Sequence, residues 1–337
     1  MRANTSRTTR NFSAGKGMCD NSIEIIRYQP DLKDVWNDFV ESSKNGTFLF
    51  NRSYMDYHSD QFPDHSYLIY RKRRLYCLLP GCTKDNVFYS HAGLTYGGLI
   101  MNENCSAEGI LKVFTCLIRE MSEEGITRII YKPVPHIYHR YAAEEDLYAL
   151  FRNKAGLISR NISSSINLKN HLKKYHDRKT ALNRAIRNKI EVKECDDYKS
   201  FWNILEENLR NKYKSSPVHS LKEILYLSRV FPDNIKLWGA FIEETMVAGI
   251  VCYYTHTVIH TQYISANPEG KKAGAVDMLI DHLMKSSLNE EHSEIEWLDL
   301  GTSNEENGLF LNEHLIYQKE GFGGRGICYD TYEISIS

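Results

Sequence analysis

One order of elements occurs twice along this chain, and it leaves few folds open. In the first half, Arg74–Leu79 alternates as a strand ahead of a Pro80-Gly81 turn, and Val87–His91 and Tyr96–Met101 read as two more strands. A helix follows in which Ile110, Phe114, Leu117, Ile118 and Met121 share one face. Gly125 ends it, and Ile126–Tyr131 forms the next strand, stopped at Lys132-Pro133. In the second half the strands are Ile235–Ile242, Met246–Tyr254 and Val258–Ala266. Asn267-Pro268-Glu269-Gly270 makes the turn, Val276, Leu279, Ile280 and Leu283 line a helix, and Ile295–Leu300 is the closing strand. Helical stretches precede each set: Leu32–Ser42 before the first, Tyr198–Tyr213 and Leu221–Val230 before the second. The residues of the two halves do not align, so what repeats is the plan. The pattern predicts an α/β protein of two tandem lobes with mixed sheets, and a cleft between them for a ligand. The lobes are expected at residues 21–160 and 161–337, with Ile162-Ser163-Ser164-Ser165-Ile166 as a connecting strand.

Composition narrows the classes. The chain has 337 residues, 42% hydrophobic and 25% charged, which is ordinary for a globular protein of two domains. Mean hydropathy is −0.47, and the longest apolar run, Met246–Tyr254, is too short to cross a bilayer. Residues 1–20 are polar and unpatterned and read as a disordered leader; Arg2, Arg7 and Arg10 have no apolar stretch behind them, which excludes a secretory signal. None of the eight cysteines forms a CxxC pair, so the expectation is reduced thiols in the cytoplasm and no metal. His136 and His139 have a spacing that a helix could turn into a metal site, but Pro133 and Pro135 argue against a helix there.

Net charge is −1, so nothing global points to DNA or RNA. Locally, Lys169, Lys173, Lys174, Arg178, Lys179, Arg184, Arg187 and Lys189 face a single acid, Asp177. Leu172, Tyr175, Leu182, Ala185, Ile186 and Ile190 would give this stretch an apolar helical stripe. It reads equally as a solvated helix face and as a surface for a phosphate-bearing partner, tRNA included.

Several strings resemble a known family. They are Ser90-His91-Ala92-Gly93-Leu94-Thr95-Tyr96-Gly97-Gly98 and Tyr131-Lys132-Pro133-Val134-Pro135-His136-Ile137-Tyr138 in the first half. In the second half they are Lys214-Ser215-Ser216-Pro217-Val218-His219-Ser220, Asp299-Leu300-Gly301-Thr302-Ser303, and Leu311-Asn312-Glu313-His314-Leu315 through Lys319-Glu320-Gly321-Phe322-Gly323. With the order of elements, they resemble GNAT-superfamily acyltransferases of the duplicated FemAB/FemX-like branch, and are similar to bacterial GNAT-family proteins associated with surface-polysaccharide loci. The resemblance covers nearly everything after residue 20. It implies tandem GNAT-like lobes and acyl transfer from acetyl-CoA, another acyl-CoA or an aminoacyl-tRNA.

The chain departs from acetyl-CoA-using members at the diphosphate loop, where Asn267–Ala275 replaces the usual Gln/Arg-x-x-Gly-x-Gly/Ala. Gly270, Lys271, Lys272 and Gly274 at a helix start can still cradle a diphosphate; the same residues also suit an ordinary helix entry.

Acyl transfer to an amine or hydroxyl needs a base for the nucleophile, donors for the oxyanion and alignment of both substrates. No G-x-S-x-G elbow is present. His219, in a Pro-containing loop between helices, is the first candidate base or else a surface histidine, and His91, at a strand end, is the second. Asp299 and Ser303 frame a strand end that opens into a ligand crevice or only caps a helix. Lys319, near a helix C-terminus, complements the dipole, and the resemblance turns it toward a substrate carboxylate or phosphate. Asn312 sits in the same helix, and Tyr96 either lines the acceptor cleft or belongs to the core.

The resulting expectation is a cytoplasmic acyltransferase acting on a small-molecule or nucleotide-sugar acceptor, a precursor of surface polysaccharide. An aminoacyl-tRNA-dependent peptidyltransferase and a non-catalytic binding protein of the same fold are the rivals.

Overall fold

Nearly every position of the strand Thr245–Tyr254 is buried, so it has to be covered on both faces. It belongs to a ten-stranded sheet built from both halves of the chain. The computed structural model describes residues 22–90, 92–286 and 294–336; the expected leader, residues 1–20, lies outside them.

The first half supplies β1 (Ile23–Arg27), α1 (Lys33–Ser42), α2 (Arg52–Met55), β2 (Tyr67–Arg71), β3 (Arg74–Leu79), β4 (Cys82–Lys84), β5 (Val87–Tyr89), β6 (Ile100–Met101), α3 (Ala107–Glu123), β7 (Arg128–Tyr131), α4 (Glu145–Arg152) and β8 (Gly156–Asn167). The second supplies α5 (His176–Arg187), β9 (Glu191–Cys195), α6 (Tyr198–Tyr213), α7 (Leu221–Val230), β10 (Ile235–Ile242), β11 (Thr245–Tyr254), β12 (Val258–Ala266), α8 (Pro268–Ala273), α9 (Ala275–Ser286), β13 (Trp297–Thr302), β14 (Asn304–Glu305), β15 (Phe310–Leu311), α10 (Glu313–Gly321) and β16 (Arg325–Ser335). The expected α/β class and the twofold plan of the elements are both present.

The large sheet runs β4-β5-β7-β16-β8-β13-β12-β11-β10-β9, and a smaller one runs β1-β2-β3-β6. Its middle is the part that joins the halves. β8 and β16 lie side by side in register from Gly156↔Glu333 to Ser165↔Arg325, and the end of β16 then pairs with β7 at Tyr332↔Tyr131. A division at residues 160/161 would cut through β8.

Buried side chains also cross between the halves. Trp36 and Phe50 from the first pack in one cluster with Phe201, Trp202 and Leu237 from the second. Burying each contributes about 1.5–3 kcal/mol, far more than a sliding domain contact supplies.

The first half departs from expectation where a strand over Tyr96–Met101 was anticipated; only Ile100–Met101 is extended in a ladder. Gly98 takes φ +80°, and a Cβ at Gly97 would lie 1.9 Å from the Ser90 carbonyl oxygen, so this stretch folds onto its neighbours instead of running straight. Gly97 N–H donates to the Lys132 carbonyl at 2.8 Å, stitching the stretch to the end of β7. The basic segment forms α5 with Ala181 and Ala185 buried, while Leu172 and Ile186 are exposed, so its apolar stripe is narrower than the sequence suggests. Among the described residues, no helix is long and apolar enough to cross a membrane.

Candidate active site

β12 and β13 are parallel neighbours whose ladder runs only from Val258↔Trp297 to His260↔Asp299. Beyond that pair the two strands part. The gap between them opens into a cavity of about 380 Å3 lined by His260, Thr261, Gln262, Gly301, Lys319 and Tyr329, with Thr95 reaching in from the first half.

Asp299 is the buried floor of this gap, with no exposed surface. Its Oδ1 accepts from Ser165 Oγ (2.8 Å), from Ser163 Oγ and from the Gly301 N–H (3.3 Å). Its Oδ2 accepts from Tyr138 Oη (2.9 Å), Tyr329 Oη (2.7 Å) and His260 Nδ1 (2.8 Å). Burial alone would raise the pKa of the carboxyl; the donors, led by His260, outweigh it and hold the pKa far below the usual carboxylate range. The donors come from a first-half turn (Tyr138), the central strands β8 and β16, and β12. The sheet therefore brings both halves to one carboxylate.

A carboxylate only accepts, so His260 carries its proton on Nδ1 and keeps Nε2 as the nitrogen free for the cavity. Across the gap, Lys319 is buried on α10, its Nζ donating to the carbonyls of Gly301 (2.9 Å) and Thr302 (2.7 Å). Burial lowers its pKa to about 8, against the opposing pull of Asp299. Gly301 leaves the gap open: a Cβ there would stand 3.7 Å from His260 Cε1 and 3.9 Å from Lys319 Nζ. An imidazole aligned by a carboxylate and an ammonium with a third N–H thus face one space, which suits proton abstraction beside a developing oxyanion.

Of the residues expected from sequence, Asp299 and Lys319 meet here. His219 is buried elsewhere, its Nδ1 2.6 Å from Tyr263 Oη and its ring stacked near Tyr57, and burial lowers its pKa to about 4. His91 lies outside the described residues. Tyr96 is in the core beside Tyr138, its hydroxyl on Thr47. Ser303 is buried, its N–H on the Ile162 carbonyl, and Asn312 caps α10 by accepting from Leu315 N–H at 3.1 Å.

At the start of α8, the Gly270 N–H is held by Asn267 Oδ1 (2.8 Å), and a Cβ on Gly270 would meet the Val247 carbonyl at 2.3 Å. Gly274 has φ +86° and passes close to the Ala181 carbonyl. Lys271 reaches Asn208, and both Lys271 and Lys272 are exposed. The two glycines therefore serve close packing, and the two lysines are what this corner presents to solvent. His260, which completes the site, was not singled out from sequence, because a histidine within an alternating strand reads as one more core position.

Residues 167–307 match the family model described as an acetyltransferase (GNAT) domain. This part of the second half is similar to that family, and the chain as a whole shares the fold of FemX. FemX is 9% identical with a TM-score of 0.64, over 93% of this chain and 97% of that one. L-PGS from Bacillus licheniformis is 11% identical with a TM-score of 0.57, over 92% of each chain. A conserved protein of unknown function from Bacteroides thetaiotaomicron VPI-5482 is 11% identical with a TM-score of 0.60, over 94% and 100%. At such identities the likeness is one of fold. No curated protein matches the sequence.

Proposed function

We propose that the chain transfers an acyl group, acetyl in the simplest case, from acyl-CoA to an amine or hydroxyl of a small cytoplasmic acceptor, with the second half holding the donor and residues 21–160 facing the acceptor. The observation that carries this reading is the parting of β12 from β13 beyond His260 and Asp299. The free edge of β12 offers unpaired backbone groups to an extended amide-bearing chain, and such a chain would deliver its thioester to the cavity floor. His260 Nε2 takes the proton of the acceptor as its nitrogen or oxygen attacks the thioester carbon. Lys319 holds the oxyanion; the C–S bond then breaks, and the leaving thiolate takes up the proton held on His260 Nε2, which restores the neutral imidazole. Lys271 and Lys272 are candidates for the donor's phosphates. A nucleotide-linked sugar bound for a surface polysaccharide is the acceptor we favour.

A second reading, aminoacyl-tRNA as donor, is favoured by α5, whose Lys179, Arg184 and Arg187 are exposed, and by the fold shared with FemX.

Thermal unfolding with acetyl-CoA and with CoA tests the first reading. A ligand at 100 times its Kd adds about 2.7 kcal/mol, enough to move the midpoint visibly. No shift with any CoA, together with salt-sensitive retention of tRNA, would replace it by the second.

A further inference from the structure

Away from the Lys319 cavity, the half-buried Lys132 has no counter-charge among the described residues. Lys132 follows β7, and its backbone is pinned: its N–H donates to Ser90 Oγ (2.8 Å) and its carbonyl accepts from Gly97 N–H (2.8 Å). Its ammonium has no hydrogen bond or ion pair with any described residue, and the ionisable neighbour that acts on it is the thiol of Cys82. Burial lowers its pKa, as expected for an ammonium partly withdrawn from water with no carboxylate beside it. Nothing in its packing requires a charge, since an unbranched apolar side chain would fill the same space.

Lys132 opens onto a cavity of about 380 Å3 whose polar walls are Ser90, Ser159, Asn161, Asn307 and Thr331; none of the described lining residues is acidic. Ser159 spends its hydroxyl proton on the Asn307 carbonyl, but an ammonium beside the Ser90 and Thr331 hydroxyls and the Asn161 amide is arranged for the oxygens of an anion that arrives from outside. This cavity and the one at Lys319 also border the same two strands. Ser159, Asn161, Ser163 and Ser165 alternate along β8 and so lie on one side of it. The first two line the Lys132 cavity, and the last two donate to Asp299. On β16, Thr331 lines one cavity and Tyr329 the other. From Asn161 to Ser165 is four residues, about 13 Å of strand.

We propose that the Lys132 cavity is an anion subsite of the acceptor, taking a phosphate or carboxylate at the end remote from the nucleophile. This rests on acyl transfer at His260 and Lys319 as proposed above, and it adds that the acceptor is elongated and anionic at its far end.

Calorimetric titration of the whole protein with phenyl phosphate and with benzoate tests it, because the ring can rest on the half-exposed Ile158 while the two head groups separate phosphate from carboxylate. At least one of the two is expected to bind the wild type. Lys132→Met should weaken that binding by about 10- to 100-fold, the worth of a charged hydrogen bond, and Lys132→Arg should keep most of it. Binding of neither anion to the wild type, or equal binding to Lys132→Met, overturns the subsite. Should Lys132→Met not fold, Lys132→Gln carries the same comparison. Acetyl-CoA is titrated alongside: its Kd should be unchanged in Lys132→Met. Failure of acetyl-CoA to bind the wild type would overturn the donor reading, while the anion titration still judges the subsite.

Discussion

Asp299 Oδ2 and His260 Nδ1 stand 2.8 Å apart at the last rung of a parallel ladder, so the point where two strands separate is also the point where an imidazole is aligned. A bound tautomer and a free Nε2 follow from that one contact. His260→Asn places an amide N–H where Nδ1 was and removes Nε2. It should keep the fold and lower kcat by about 10²- to 10⁴-fold, the range for losing a general base. His219→Gln, which keeps a partner for Tyr263, is the matched comparison; a loss of equal size there would move the base to His219.

Lys319 gives the pH dependence. Its pKa, lowered by burial to about 8, means that the ammonium is lost as pH rises through about 8. Turnover that needs the cation should therefore fall on the alkaline side of that value, and Lys319→Arg, charged throughout, should carry the plateau higher. Stability moves the other way. The folded pKa lies below the unfolded one, so the cost of burying the charge is present below about pH 8 and disappears as pH rises toward 10.5. A denaturation series at pH 7, 9 and 10 in wild type and Lys319→Met would show the difference closing.

Asp299→Asn tests the six donors that surround the carboxylate. An amide can accept on one side only, and its NH2 would face donors on the other, leaving buried groups unmatched. A loss of about 3–5 kcal/mol is expected in urea unfolding, the scale for breaking a buried charge network. In the wild type this contribution is complete above the unfolded carboxyl pKa of about 3.9 and is surrendered only in stronger acid.

Gly301→Ala addresses the opening itself. Its φ of +77° makes any side chain costly by about 1–2 kcal/mol, and the new methyl would stand between His260 and Lys319. A raised KM for the donor with a modest drop in Tm is the expected pattern; unchanged kinetics would mean that the substrates do not pass through this gap.

Local pattern carried much of the fold. β10, β12, α6 and α7 begin and end where periodicity places them, because each has one clean apolar face. The joining of the halves was not legible, since β8 carries Ser163, Ser164 and Ser165 through the middle of the sheet and polarity there reads as a linker. Ser163 and Ser165 are buried as donors to Asp299, a requirement set by a residue more than 130 positions away. Asp299 and Lys319 could be named from sequence as the ends of a strand and of a helix; His260 could not, because its partner lies 39 residues on. The same limit hid Lys132, which sequence marks only as the residue where a strand stops.

The pairing of β16 with β7 has a consequence for synthesis. Ile129 and Ile130 find Ile334 and Glu333 as ladder partners, so the first half reaches the ribosome exit about 200 residues before the strand that completes its sheet. Until translation reaches that strand, β7 keeps an unpaired edge of the sort that invites aggregation. This contact of very long range sets a slow step late in folding. A nascent chain halted before residue 325 should therefore remain protease-sensitive in its early half, however long it is given.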